Sequence, residues 1–498
     1  MSRTARVATL VEGTTQPTIV VPVVFDNGEA VVAESVPKVL GGHTLPRSFS
    51  RAWCALQGLG EEPGSSTTVR SFAGVNVALV TLGTTLSDLE HVRRAGAAAV
   101  RAGGEGNVAF LLPTDALDDP GAVAQALVEG ALMGDYRFKS SDVHSSFDVV
   151  PLGLPLPTVV THDAVSEGVH RGIIVGRGVN WAKRLIDTPP TQLSPKKMAQ
   201  AARDRLDGDP HVEVEVWTES KVREEGLGAL LGVGAGSHQP VRLVRATYDP
   251  APDEELAHVA LVGKGVTFDS GGLSIKTSEG MKTMKTDMTG AANVLAALSI
   301  ASRLGLRVKV TAIAPMAENL PGGNATKPGD VLRARNGTTI EVLDTDAEGR
   351  LLLADGLSLA VEAGPDAIID VATLTGSQTV ALGREVGAIF ASTDELAAAF
   401  AAASARSGEP LWRMPLFAPY GAHIESDVAD VCNIGKVGQA GAITAALMLQ
   451  RFTDGRPWIH LDIAGPGRCE AARGYTTKGA TAFATRTIVE YLASLARP

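Results

Sequence analysis

Paired cysteines, paired histidines, long apolar runs and basic clusters are all missing from this 498-residue chain, and each absence closes off a class of function. The three cysteines, Cys54, Cys432 and Cys469, stand far apart with no CxxC pair, which excludes a disulfide framework and a thiolate zinc site. They read as isolated reduced thiols. None of the 10 histidines forms HExxH or a comparable short pair, so any metal ligands must be mostly oxygens. No run approaches the roughly 20 apolar residues needed to cross a bilayer. The opening segment, MSRTARVATLVEG, lacks the apolar stretch of about 7–15 residues that marks a secretory signal, so a cytoplasmic location with no membrane partner is expected. The formal charge is -10, and residues 1–160 hold 11 Lys and Arg against 16 Asp and Glu. A nucleic-acid partner demands a basic footprint, which is absent. No GxxxxGK[ST] loop cradles phosphates, and GVGAGS (232–237) is a lone Gly-rich turn, which counts against a Mg²⁺-dependent phosphohydrolase.

What is present is an ordinary globular composition, 45% hydrophobic and 20% charged. The length suggests two compact units. Residues 17–25, 75–82 and 107–112 read as short buried strands, with an Ala-rich helix at 90–102, giving a small α/β unit. The Pro-rich segment 151–157 breaks the pattern, and a helix follows from about Asp163 to Ile186, ending before Thr188-Pro189-Pro190. The expected division is therefore an N-terminal α/β domain at 1–160 and a larger domain at 161–498 that begins with a linking helix. In the second part, strands near 212–216, 241–247, 258–268, 308–314, 339–343, 367–372 and 458–463 alternate with helices near 195–206, 288–303, 350–363, 393–405 and 440–453. Such alternation predicts an α/β fold with a mixed, mostly parallel sheet covered by helices, and places reactive residues at the carboxyl ends of its strands.

The chemistry concentrates between 259 and 376. VGKGVTFDSGGLSIK (262–276) is an apolar strand ending in Asp269, then a Ser-Gly-Gly turn, then Lys276. Asp287 precedes a helix that opens on small residues, where an N-cap role is one reading. In IEVLDTDAEGRLLLAD (340–355), Asp344, Asp346 and Glu348 alternate, so an extended segment puts them on one side with Arg350 next in the row. Carboxylates that converge between apolar runs repel one another unless cations offset them, and bound divalent metal is the natural compensation. Lys264 and Lys276 are either ion-pair partners of these acids or, once deprotonated, nitrogen ligands.

VGKGVTFDSGGLSIK, MKTMKTDMTGAANV and DTDAEGRLLLADGL, in this order, resemble the leucyl (cytosol) aminopeptidase family of dinuclear metallo-exopeptidases. Asp344 stands where the family's octapeptide usually has Asn. Similarity extends over 187–195, 227–237, 370–376, 426–435, 440–449 and 460–465. The resemblance implies an enzyme that removes Leu and other apolar residues from peptide N-termini by a metal-bridged hydroxide, with Zn²⁺ or Mn²⁺ as the two ions. It implies Lys264, Asp269, Asp287 and Glu348 around one ion, and Asp269, Asp346 and Glu348 around the other. Lys276 would stabilise the developing gem-diolate, and Arg350 would hold a bicarbonate that acts as general base. Met284, Thr373, Gly376 and Ala464 match the family's apolar side-chain pocket, beyond which PGRCE (466–470) departs from the family pattern. The family assembles as a homohexamer. Some members have a second role as DNA-bound regulators, against which the acidic N-terminal region counts.

Overall fold

The computed structural model describes residues 4–7, 18–40, 43–70, 76–85, 88–139, 146–152 and 159–496. The Pro-rich segment therefore lies mostly outside the described residues. The chain forms two compact units, residues 1–180 with 470–478, and residues 181–469 with 479–498. The change of unit falls inside helix α1, Val159–Asp187, which stops where Thr188 meets the two prolines.

Among the described residues, the first unit is built on an eight-stranded mixed sheet. Its expected strands appear as Thr18–Asp26, Asn76–Thr81 and Val108–Pro113, which pair parallel, and the Ala-rich helix runs Leu89–Gly103. Asp88 caps that helix by accepting from the N–H groups of Glu90 and His91. A second helix, Pro120–Gly134, packs beside it, and Arg93 and Glu129 form a buried 2.8 Å ion pair between the two.

The second unit is a nine-stranded sheet. Its strands are β1 (Val212–Trp217), β2 (Arg242–Tyr248), β3 (His258–Gly263), β4 (Gly265–Asp269), β5 (Lys309–Asn319), β6 (Ala367–Ala372), β7 (Gly387–Ala391), β8 (Leu411–Arg413) and β9 (Trp458–Asp462). The order is β1-β2-β5-β3-β6-β9-β7-β8, with β4 added on β5. β5, β3, β6 and β9 pair parallel in the centre, whereas β1, β2 and β7 introduce antiparallel neighbours. The central strands are apolar and buried on both faces, as a covered parallel sheet requires. Helices α2 (Thr289–Arg303) and α3 (Gly349–Glu362) are buried almost all round, the sign of helices enclosed by the core.

Two expected strands differ. The run 258–268 is broken at Lys264, whose N–H donates to Val371 while its carbonyl accepts from Ala291, so the chain leaves the β3–β6 ladder there. The strand expected at 339–343 is short, Thr339–Glu341, and joins a separate three-stranded sheet with Val331–Arg333 and Val431–Cys432. Residues 228–234 of the Gly-rich stretch form a helical turn that packs on α3.

Candidate functional site: an acidic cluster at the carboxyl edge of the sheet

Asp269 is the last residue of β4, and the turn after it determines what it can meet. Gly271 and Gly272 take positive φ, 87° and 65°, which only glycine adopts without strain. The Asp269 carboxylate closes this turn by accepting from Gly271 N–H at 2.8 Å and from Asn319 Nδ2 at 2.9 Å. Asn319 ends β5 and also donates to the carbonyl of Thr345 at 2.9 Å, joining the turn to the second acidic segment. The reversal brings Lys276 back over its own start, with its N–H on Ser270 O at 2.9 Å.

The second segment, 342–348, is a turn and not the expected extended row. Asp344 Oδ1 accepts the Asp346 N–H at 2.9 Å, an Asx turn that bends the chain at once. Asn433 holds the outside of the bend. Its Oδ1 accepts from Leu343 and Asp344 N–H, and its Nδ2 donates to Asp344 O at 2.6 Å and Ala347 O at 3.3 Å. The bend sends Asp346 and Glu348 toward Asp269, and one carboxylate oxygen of each of the three lies within 4.8 Å of the others. Asp344 instead points its carboxylate at the backbone. Arg350, in the first turn of α3, is buried and donates through Nη1 to Asn433 O at 2.8 Å.

Asp287 reaches the same place from the one-turn helix Met284–Thr286. It does not cap α2, whose first residue follows Met288. Its carboxylate accepts the Thr373 hydroxyl at 2.8 Å and meets Lys264 Nζ at 2.8 Å. Lys264 Nζ is also 2.8 Å from Glu348 and donates to Thr373 O at 3.1 Å. Lys276 Nζ bridges Asp269 at 2.8 Å and Asp346 at 2.5 Å. Gly349 makes room for the first lysine, since a Cβ there would stand 2.7 Å from Lys264 Nζ and Cε.

Two ammonium groups thus face four carboxylates, and the charge does not close. Burial pushes the Asp287 carboxyl well up and that of Glu348 up; Asp269 repels both and Glu348 repels Asp287, which Lys264 only partly offsets. Burial also lifts Asp346 to about 6, although the neighbouring Lys276 pulls it down. Burial lowers both lysines, yet the neighbouring carboxylates outweigh it and raise them. Three buried oxygens, Asp287 Oδ2, Asp346 Oδ1 and Glu348 Oε1, lack a directed hydrogen bond although a lysine sits at ion-pair distance from each. Buried acceptors without directed donors, in an all-oxygen and amine set with excess negative charge, fit divalent cations.

The residues expected around the side-chain pocket lie on three segments. Met284 is half-buried on the turn before Asp287, Thr373 and Gly376 follow β6, and Ala464 follows β9. Asn319, Asn433 and Asp462, each hydrogen-bonded to two separate segments, carried no sequence signal of their own, although 426–435 and 460–465 contain the last two.

The catalytic-domain model of the cytosol aminopeptidase family matches residues 180–489, and the N-terminal-domain model of the same family matches 52–141. A protein of Leifsonia xyli named "Probable cytosol aminopeptidase" is 45% identical over 407 residues, spanning 79% of this chain and 80% of its own. A tomato leucine aminopeptidase variant superposes with a TM-score of 0.83 at 31% identity, covering 99% of this chain and 96% of that one. A bottromycin maturation enzyme in complex with manganese gives 0.82 at 35% identity, covering 97% of this chain and 100% of that one. Among the described residues no helix is long and apolar enough to cross a membrane. With its acidic cluster at the carboxyl edge of an α/β sheet, the chain belongs to the cytosol aminopeptidase family and is a metal-dependent aminopeptidase.

Proposed function

We propose that the enzyme removes N-terminal residues, Leu and other mainly apolar ones, from peptides with the help of two divalent ions. The observation that carries this reading is the deficit of positive charge where Lys264 and Lys276 meet three buried carboxylates and the half-buried Asp346, with three acceptor oxygens left without directed donors. Lys264, Asp269, Asp287 and Glu348 would hold one ion, and Asp269, Asp346 and Glu348 the other. Lys264 must shed its proton to take part, so ion binding is coupled to proton release. When bound, Zn²⁺ or Mn²⁺ ions would supply Lewis acidity and make a water nucleophile available near neutral pH.

The chain's own groups do the rest. Lys276, half-buried on the turn after Asp269, offers a fixed positive charge to the oxyanion that develops at the carbonyl. Arg350 presents a planar guanidinium suited to a bidentate anion, and its buried Nε has no hydrogen-bond partner. Bicarbonate held there would act as the general base. Met284, Thr373, Gly376 and Ala464 would line the pocket for the departing side chain. We keep 1–160 as an N-terminal domain and 161–498 as the catalytic domain, and we place the enzyme in the cytoplasm as a homohexamer acting on peptides.

The test is hydrolysis of Leu-p-nitroanilide and of its N-acetyl twin, before and after chelation. Activity lost with chelator, restored by Mn²⁺ or Zn²⁺ and absent on the acetylated substrate is the expected pattern, because an acetylated amine cannot ligate. Comparable rates on the two substrates, or a fully active preparation free of metal, would remove the reading.

A further inference from the structure

Strands β6 and β9 run parallel and end side by side, with Ala372 opposite Asp462. Their exit loops carry Thr373 and Gly376 on one side and Ala464 on the other. Asp462 has no exposed surface, and its carboxylate bridges the two loops. Its Oδ1 accepts N–H groups from Leu374 at 3.1 Å, Thr375 at 3.4 Å and Ala464 at 3.2 Å. Its Oδ2 accepts the Thr375 hydroxyl at 2.6 Å. Gln378 repeats the link from the helix beyond, accepting the Gly465 N–H on Oε1 at 2.6 Å while its own N–H donates to Thr375 Oγ1 at 3.0 Å.

The first of these loops is tied at its other end to the acidic cluster. Thr373 O accepts from Lys264 Nζ, and the Thr373 hydroxyl donates to Asp287. One short stretch of backbone, 373–375, is therefore clamped between the cluster and a buried carboxylate, and the pocket residues ride on it. Where the side chain sits relative to the reacting carbonyl depends on this stretch, and about 1 Å of misplacement can cost ~10²-fold in rate. A buried carboxylate is costly unless donors saturate it, and here four donors from two loops do so.

We propose that Asp462 is a positioning residue that sets the side-chain pocket against the acidic cluster, and so governs the preference for large apolar N-terminal residues. The inference rests on the pocket reading given above. In the Asp462→Ala enzyme, the ratio of kcat/KM for Leu-p-nitroanilide over Gly-p-nitroanilide should fall roughly tenfold, the scale on which a hydrophobic pocket discriminates. The fall should appear mainly as a higher KM for the Leu substrate, with bound metal unchanged. In Asp462→Asn the amide oxygen still accepts the same N–H groups and the amide N–H can donate to Thr375 Oγ1, so the ratio should stay near wild type. An Ala variant that keeps the full ratio, or that loses rate on both substrates equally, overturns the proposal. If that variant does not fold, Thr375→Val removes the hydroxyl that donates to Oδ2 and accepts the Gln378 N–H, and should lower the ratio in the same direction, and an unchanged ratio counts against the proposal. A wild-type enzyme without preference for Leu over Gly would overturn the pocket reading as well, whereas a preference that survives Asp462→Ala overturns only the role of Asp462.

Discussion

At Gly349 the absence of a methyl group decides where Lys264 can lie. In Gly349→Ala the new Cβ would stand 2.7 Å from the lysine Nζ, and the flexible lysine tail is what must give way. Gly349 is the first residue of α3, where helix propensity counts for little, and displacing Lys264 leaves Asp287 and Glu348 without their cation. A lower urea midpoint, together with lower metal content and lower kcat, is the expected result. Asp344 makes the opposite case. Its Oδ1 is used on the Asp346 N–H, a bond the Asn side chain also makes, so Asp344→Asn should retain two metals and most activity. Loss of metal as complete as in Asp346→Asn would reassign Asp344 as a ligand. Arg350→Ala should lower kcat by ~10²–10⁴-fold, the usual scale for losing a general base, with metal content intact. Metal loss in that variant would show that Arg350 supports the bend and not an anion.

Helix α3 ties the acidic bend to the rest of the unit through Asp355. That side chain, without exposed surface, accepts the Leu230 N–H at 2.8 Å and the Arg335 N–H at 2.8 Å, so it caps the 228–234 helix and a loop at once. Burial pushes its carboxyl up to about 7 against the pull of those donors. The folded value lies above the unfolded 3.8, so between the two the folded state keeps the proton and the unfolded state does not. The stability this group contributes is therefore present at the acidic end and falls as pH rises through about 7. Asp355→Asn has the shape of the protonated acid and does not titrate, so its stability should not carry this fall. Its stability relative to wild type should rise with pH, which urea titrations across that range will read, and a constant difference would place Asp355 as ionised throughout. None of this was legible in the sequence, where Leu230 and Asp355 are 125 residues apart. Apolar periodicity revealed α2, α3 and the central strands because burial writes directly onto composition. The break at Lys264 and the Asx turn at Asp344 depend on hydrogen bonds to Val371, Ala291 and Asn433, which local pattern does not encode.

Across the molecule, the acidic motifs were readable because they repeat a family pattern in order, whereas the partners that shape them, Asn319, Asn433 and Asp462, come from distant strands and loops. The sheet brings those strands together at one edge, and the same edge concentrates negative charge that the chain's own cations do not balance. Divalent ions should then stabilise the folded catalytic unit as well as serve the reaction. A ligand that binds only the folded state at about 100 times its Kd adds ~2.7 kcal/mol, which corresponds to a rise of roughly 5 °C in Tm for a unit of this size. Trp458, buried on β9 with its indole N–H on Asp370 at 2.7 Å, reports unfolding of that unit by fluorescence. Protons compete with the ions for the same carboxylate oxygens and for the Lys264 amine, so the increment should grow as pH rises from about 6 to about 8. Melting curves with Mn²⁺ and with chelator at several pH values will check this. An increment that is absent, or that shrinks toward alkaline pH, would mean that the carboxylates and Lys264 do not hold the ions.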